Sequence, residues 1–208
     1  MPSERLTKTV GQLEAESVLV VQDGNHGAYR PRKEEIVSTG IAHIRAADIS
    51  DLGTIDFEGS QRVAMTAWDR IKKGRAQAND VLLTHKGTVG RVALVPRHVE
   101  RFLCSPQTTF WRSINPEVLD QRYLHALLRS PQFQEQLSRV MDESDMAPYV
   151  SLTNQRRFAL NLPAISEQRA IASVPRVPRR KDREQPAALP GPSGSASCSV
   201  RCLCGSHR

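Results

Sequence analysis

Five consecutive residues, Thr84-His-Lys-Gly-Thr88, gather two hydroxyls, an imidazole, an ammonium and the backbone amides that a glycine turn exposes. Donors and a cation at that density suit an anion. The pattern is not a P-loop, which brackets four residues between two glycines, adds Lys and Ser or Thr, and opens a helix. Here Val81-Leu-Leu83 precedes and the β-branched run Val89 to Val95 follows, so the five residues read as a turn between antiparallel strands. Thr108 to Ser113 alternates small polar and aromatic residues and reads as a third strand. Lys86 is then either a solvated hairpin tip or a phosphate contact to nucleic acid, with Thr84, His85 and Thr88 beside it.

A second polar cluster lies upstream. Asp23-Gly-Asn-His-Gly27 is built from residues that tolerate positive φ, and Tyr29-Arg-Pro-Arg-Lys33 adds an aromatic and three cations. Asp23 and His26 fit turn chemistry, and a catalytic or metal pair would lack a nearby third ligand. Arg30, Arg32 and Lys33 are expected phosphate contacts, partly offset by Glu34 and Glu35. Asn25, His26, Gln107 and Tyr149 are candidates for base edges or groove contacts, because amide side chains pair bidentately with adenine. No nucleophile–base pair, metal cluster or nucleotide loop is found, so no catalytic or metal-binding residue is assigned. The rival enzyme reading is a metal-dependent nuclease using Asp23, His26 or Asp80. A non-specific single-strand binder needs an exposed aromatic platform, which five Phe, three Tyr and two Trp in mostly core-like positions do not supply.

The elements that must position these residues follow from periodicity. Strands are expected at 17–22, 40–45 and 158–163, and a short helix at 64–73 with Ala67, Trp68 and Ile71 on one face. Asn115-Pro116 opens a helix carrying Leu119, Tyr123, Leu124, Leu127 and Leu128. Pro131 opens another carrying Phe133, Leu137 and Val140, and Ser166 caps a last one. The fold class is α+β, a small and mostly antiparallel sheet flanked by helices.

Charge separates the body from the tail. Of the net +7, residues 174–208 hold +5, leaving +2 for residues 1–173. Nucleic-acid binding must therefore rest on where the body's cations sit. The tail is Arg, Pro, Gly, Ser and Cys without one aromatic, so disorder is expected there. Cys198, Cys202, Cys204 and His207 lack the paired spacing of a strong zinc site. Cys104 stands alone in the body and reads as a small core hydrophobe. No apolar run approaches a membrane span and the N-terminus has no secretory pattern, so a cytoplasmic protein with no membrane partner is expected.

Four motifs in order resemble one family: Asp23-Gly-Asn-His-Gly with Tyr29-Arg-Pro-Arg, Asp80-Val-Leu-Leu-Thr-His-Lys-Gly-Thr-Val-Gly90, Cys104-Ser-Pro-Gln-Thr-Thr-Phe-Trp111, and Ser166-Glu-Gln-Arg-Ala-Ile-Ala172. They look like the target-recognition domain of a type I restriction-modification specificity subunit. The resemblance implies a non-catalytic reader of one half of a split duplex target, directing methyltransferase and restriction subunits to it. It also implies that S-adenosylmethionine binds the methyltransferase, with no cofactor on this chain. Residues 1–14 are then expected to be an extension, 15–165 the recognition domain, 166–173 the start of a spacer helix and 174–208 the tail. Pro175 and Pro178 stand where the spacer would run. A truncated or frameshifted product that keeps DNA binding but docks partners poorly is thus an expectation too.

Overall fold

Three successive apolar residues, Val81 to Leu83, leave a strand no polar face to give to water, so both of its faces must be covered. The computed structural model of the chain describes residues 6–24, 27–142 and 148–174, and shows how. Its first elements are β1 (Leu6–Thr9), α1 (Val10–Ala15), β2 (Leu19–Asp23), β3 (Ile36–Val37), β4 (Ile41–Ile44) and β5 (Gln61–Val63). Then come α2 (Met65–Arg70), β6 (Arg75–Ala76), β7 (Val81–Thr84), β8 (Val92–Leu94), β9 (Phe102–Cys104) and β10 (Thr108–Ser113). The chain continues through α3 (Gln121–Leu128), α4 (Pro131–Asp142), α5 (Leu152–Gln155), β11 (Ala159–Leu162) and α6 (Ile165–Ser173).

The expected single sheet is three among the described residues. One has four antiparallel strands in the order β2-β10-β7-β8, one has five in the order β3-β5-β4-β9-β6, and β1 pairs with β11. Only the pairing of β4 with β9 is parallel among these ladders. Strand alternation fixes the layers. From the four-stranded sheet, Leu19, Val21, Val81, Leu83 and Trp111 face a core shared with Leu13, Leu124, Leu128, Phe133 and Leu137 of α1, α3 and α4. The intervening Leu82 and Phe110 face the other way, against Ala42, Ile44, Phe102 and Cys104 of the five-stranded sheet. Beyond that sheet, Leu103 and Val63 pack on Ala67 and Ile71 at α2. Edge-to-face rings, Trp111 on Phe133 at 6.0 Å and Phe133 on Phe158 at 5.3 Å, fill the helical side. Each such pair adds about 0.5–1.5 kcal/mol beyond buried area.

Several expectations need correction. Residues 6–14 are no appendage: β1 lies in register with β11, Leu6 opposite Leu162, and Val10 and Leu13 are wholly buried. The helix expected from Asn115 begins at Gln121. Asp120 caps it by accepting the N–H groups of Arg122 and Tyr123 at 2.9 Å, while Asn115 is spent on a local turn with Glu117 N–H. Ser166 is not the cap of α6, whose N-cap is Ala164. Its first turn is instead pinned by buried Gln168, which donates to Pro163 and Val118 carbonyls and accepts Asp120 N–H. Residues Leu152–Gln155 form α5 with Ser151 as N-cap. The second strand of the hairpin is shorter than Val89–Val95, spanning Val92–Leu94.

Helix α6 stops at Ser173, as the following proline requires. Val174 is extended (φ −70°, ψ 117°), the conformation a residue preceding proline is pushed into. The expectation of a disordered tail, and the Cys198, Cys202, Cys204 and His207 set, lie outside the described residues.

Candidate nucleic-acid interface

Val81–Thr84 and Val92–Leu94 pair antiparallel, with Leu83 opposite Val92, so residues 85–91 form the connecting loop. Gly87 (φ +78°) and Gly90 (φ +96°) take left-handed conformations that a side chain would strain. The loop does not hang free. Gly87 N–H donates to Pro148 carbonyl at 3.0 Å, Lys86 bridges to Tyr149, and the Lys86 ammonium sits 5.8 Å from the Tyr149 ring. Lys86 and Thr88 are exposed, and Tyr149 is 41% exposed.

Thr84 and His85 are not surface contacts, which corrects the expectation for both. Thr84 is fully buried and its hydroxyl oxygen accepts Arg91 N–H. His85 is buried and staples three segments. Its backbone N–H donates to Gln107 carbonyl, its carbonyl accepts Val150 N–H, and its ring Nδ1 donates to Val150 carbonyl at 3.0 Å. Their work is to set the loop's shape.

The upstream basic loop is held by a clamp that the sequence did not announce. Glu35 is buried and accepts Arg70 Nε at 3.1 Å, an Arg70 terminal nitrogen at 2.5 Å and Arg32 N–H at 2.7 Å. The same guanidinium donates to Arg30 carbonyl at 3.0 Å. Arg30, Arg32 and Lys33 thereby keep their backbone fixed and their side chains exposed. Hydrogen bonding from Arg70, then from Arg32 N–H, holds the Glu35 carboxyl below its ordinary range. A depressed carboxylate stabilises the fold above its unfolded pKa and loses that contribution as pH falls through the folded value. Glu35→Gln should therefore be less stable than the native chain near neutrality, and urea denaturation should show the gap closing below about pH 4.

Between these loops, on the outer side of the five-stranded sheet, lies a cavity of about 340 Å³. Arg30, Lys86 and Gln107, three of the expected contacts, line it together with His43, Arg45 and Gln61, which the sequence reading missed. Arg45 is half-turned toward Asp48, which accepts its Nε at 3.1 Å and a terminal nitrogen at 2.8 Å. His43 Nδ1 lies 3.2 Å from Gln61 Oε1 across the β4–β5 ladder. Gly24 brings the upstream turn against the same wall: a Cβ there would stand 1.8 Å from Ser105 carbonyl oxygen, so only glycine fits. Arg32 and Lys33 flank the cavity's basic loop without lining it. Asn25 and His26 lie outside the described residues.

One of the two carboxylates offered to a nuclease, Asp80, is otherwise engaged. Asp80 is 1% exposed and accepts Arg112 at 2.7 and 2.6 Å through both oxygens, and Gln77 N–H at 2.9 Å. Cys104 is buried and burial pushes its thiol up to about 12, which leaves it inert near neutrality.

No family model matches the chain. A curated relative, the type I restriction enzyme EcoBI specificity subunit of Escherichia coli, is 26% identical over 149 residues, covering 70% of this chain and 30% of its own length. The crystal structure of the HsdS subunit from Thermoanaerobacter tengcongensis superposes with a TM-score of 0.57 at 16% identity, over 83% of this chain and 37% of that one. A chain from a study of complex assembly and conformational transition of the type I restriction-modification system gives 0.58 at 17% identity, over the same shares. The chain thus spans about a third of the length of the proteins it matches. The likeness to type I restriction-modification specificity subunits stands in sequence and in fold, and over that third of their length this chain shares their fold.

Proposed function

We propose that the chain reads one half of a split duplex DNA target for a type I restriction-modification complex. The observation that carries this is the cavity itself. Residues from five separate segments of the chain, Arg30, Arg45, Gln61, Lys86 and Gln107, meet on one surface as three cations and two amides. Cations place a protein on the phosphate backbone and amides read base edges, so the two kinds together make a sequence reader. Its partners would be the methyltransferase and restriction subunits, with S-adenosylmethionine held by the methyltransferase, and it would do no chemistry of its own. No described helix is long and apolar enough to cross a membrane, and the proposal sets the chain in the cytoplasm with the DNA.

Selection from a randomised duplex pool at about 150 mM salt tests the reading. The chain should enrich one short base pattern over bulk sequence by roughly a thousandfold, the lower end of specific over non-specific binding. Retention of all sequences alike would overturn it.

A further inference from the structure

The amide of Gln61 has two ends, and the fold decides which one a base meets. Gln61 Oε1 lies 3.2 Å from His43 Nδ1. A carboxamide oxygen only accepts, so the proton of this bond belongs to Nδ1. His43 is 7% exposed, its Nε2 is buried with no hydrogen-bond partner among the described residues, and burial pushes its pKa down. The ring is therefore neutral near pH 7, with its single proton on Nδ1 and committed to Gln61. That leaves the Gln61 N–H2 group without a partner among the described residues. Gln61 lines the cavity described above and also the adjoining one of about 570 Å³ along Val37 to Gly40, so it stands at the rim between the two.

We propose that Gln61 is a specificity-determining residue that turns its N–H2 donor toward DNA, because His43, as a positioning residue, holds its oxygen and so fixes which way the amide points. A fixed donor accepts company from guanine O6 or N7, thymine O4 or adenine N7, and rejects an amino group of cytosine or adenine at the point of contact. An amide free to turn would read either. The inference rests on the duplex-reading proposal and deepens it, assigning one position of the target to one side chain and giving that position a sign.

The test repeats the randomised-duplex selection with three variants, each first checked for a native-like melting transition. Gln61→Glu keeps the acceptor for His43 Nδ1 but turns its outward end into an acceptor. At one base position the selected pattern should change from an acceptor-bearing edge to an amino-bearing one, by roughly tenfold. Gln61→Leu removes the donor and should flatten preference at that same position. His43→Leu frees the amide and should relax preference there without inverting it, a change that a merely structural role would not confine to one base pair. If Gln61→Glu and Gln61→Leu select the unmodified chain's pattern at every position, this inference is wrong while the duplex-reading proposal stands. If the unmodified chain selects no pattern, both fall together.

Discussion

Asp80→Ala should unfold the domain more than any loop substitution. The carboxylate is 1% exposed and takes three hydrogen bonds, two from the Arg112 guanidinium and one from Gln77 N–H. Removing it leaves a cation on β10 with no compensating charge, beside the ring of Phe110 at 4.8 Å. Breaking a buried pair from one side costs about 3–5 kcal/mol, and the 27% exposure of the Arg112 side chain draws the expectation to the lower end. Small domains hold only about 5–15 kcal/mol in all, so the urea midpoint should fall sharply. Removing both partners, in Asp80→Leu with Arg112→Leu, should recover part of the loss, because no buried charge is then stranded. A nuclease reading expects the opposite: an inactive Asp80→Ala protein of unchanged stability.

The largest effect on binding should come from Arg30, Arg45 and Lys86 changed together to Gln. All three line one cavity, and each is placed by a different constraint: the Arg70 hold on the Arg30 carbonyl, the Asp48 carboxylate, and the Lys86–Tyr149 bridge. If each cation neutralises one phosphate, the slope of log K against log salt should fall by about 0.9 per residue, so about 2.7 for the triple variant. At low salt the affinity should drop by roughly a hundredfold or more, since counterion release supplies most of the non-specific term. Anisotropy titrations on one duplex across a salt series measure both. An unchanged slope would take these cations out of the interface.

Local pattern made much of this fold legible, and long-range pairing hid the rest. The threonine and aromatic residues from Thr108 to Ser113 and the apolar run at Val81 were enough to place β10 and β7. The N-terminal strand was not legible. Leu6-Thr-Lys-Thr9 is four residues with one apolar member, and its partner stands more than 150 positions away, as the Thr7–Asn161 hydrogen bond shows. Helix starts were misplaced where two capping residues competed: Asn115 serves a turn and Asp120 the helix.

The site divides in the same way. Lys86, Arg30 and Gln107 were visible as polar residues in loops, but only the folded sheet shows that they meet. His43 and Arg45 left a readable trace, since Ala42-His-Ile-Arg45 alternates and its apolar members Ala42 and Ile44 go to the core. Gln61 left none. It stands opposite His43 in the ladder, a pairing between residues eighteen positions apart. Thr84 and His85 were misjudged because polar residues in a loop read as exposed, whereas both are buried to satisfy backbone groups of three converging segments.

Amide hydrogen exchange, with and without a saturating duplex taken from the selection, tests most directly that this cavity is the DNA-facing surface. Bound duplex should slow exchange in residues 30–36, in β4 and β5, in the loop 85–91 and in 105–107, leaving α3 and α4 on the far layer unchanged. Slowing confined to α3 and α4, with the cavity segments exchanging as in the free chain, would contradict the account.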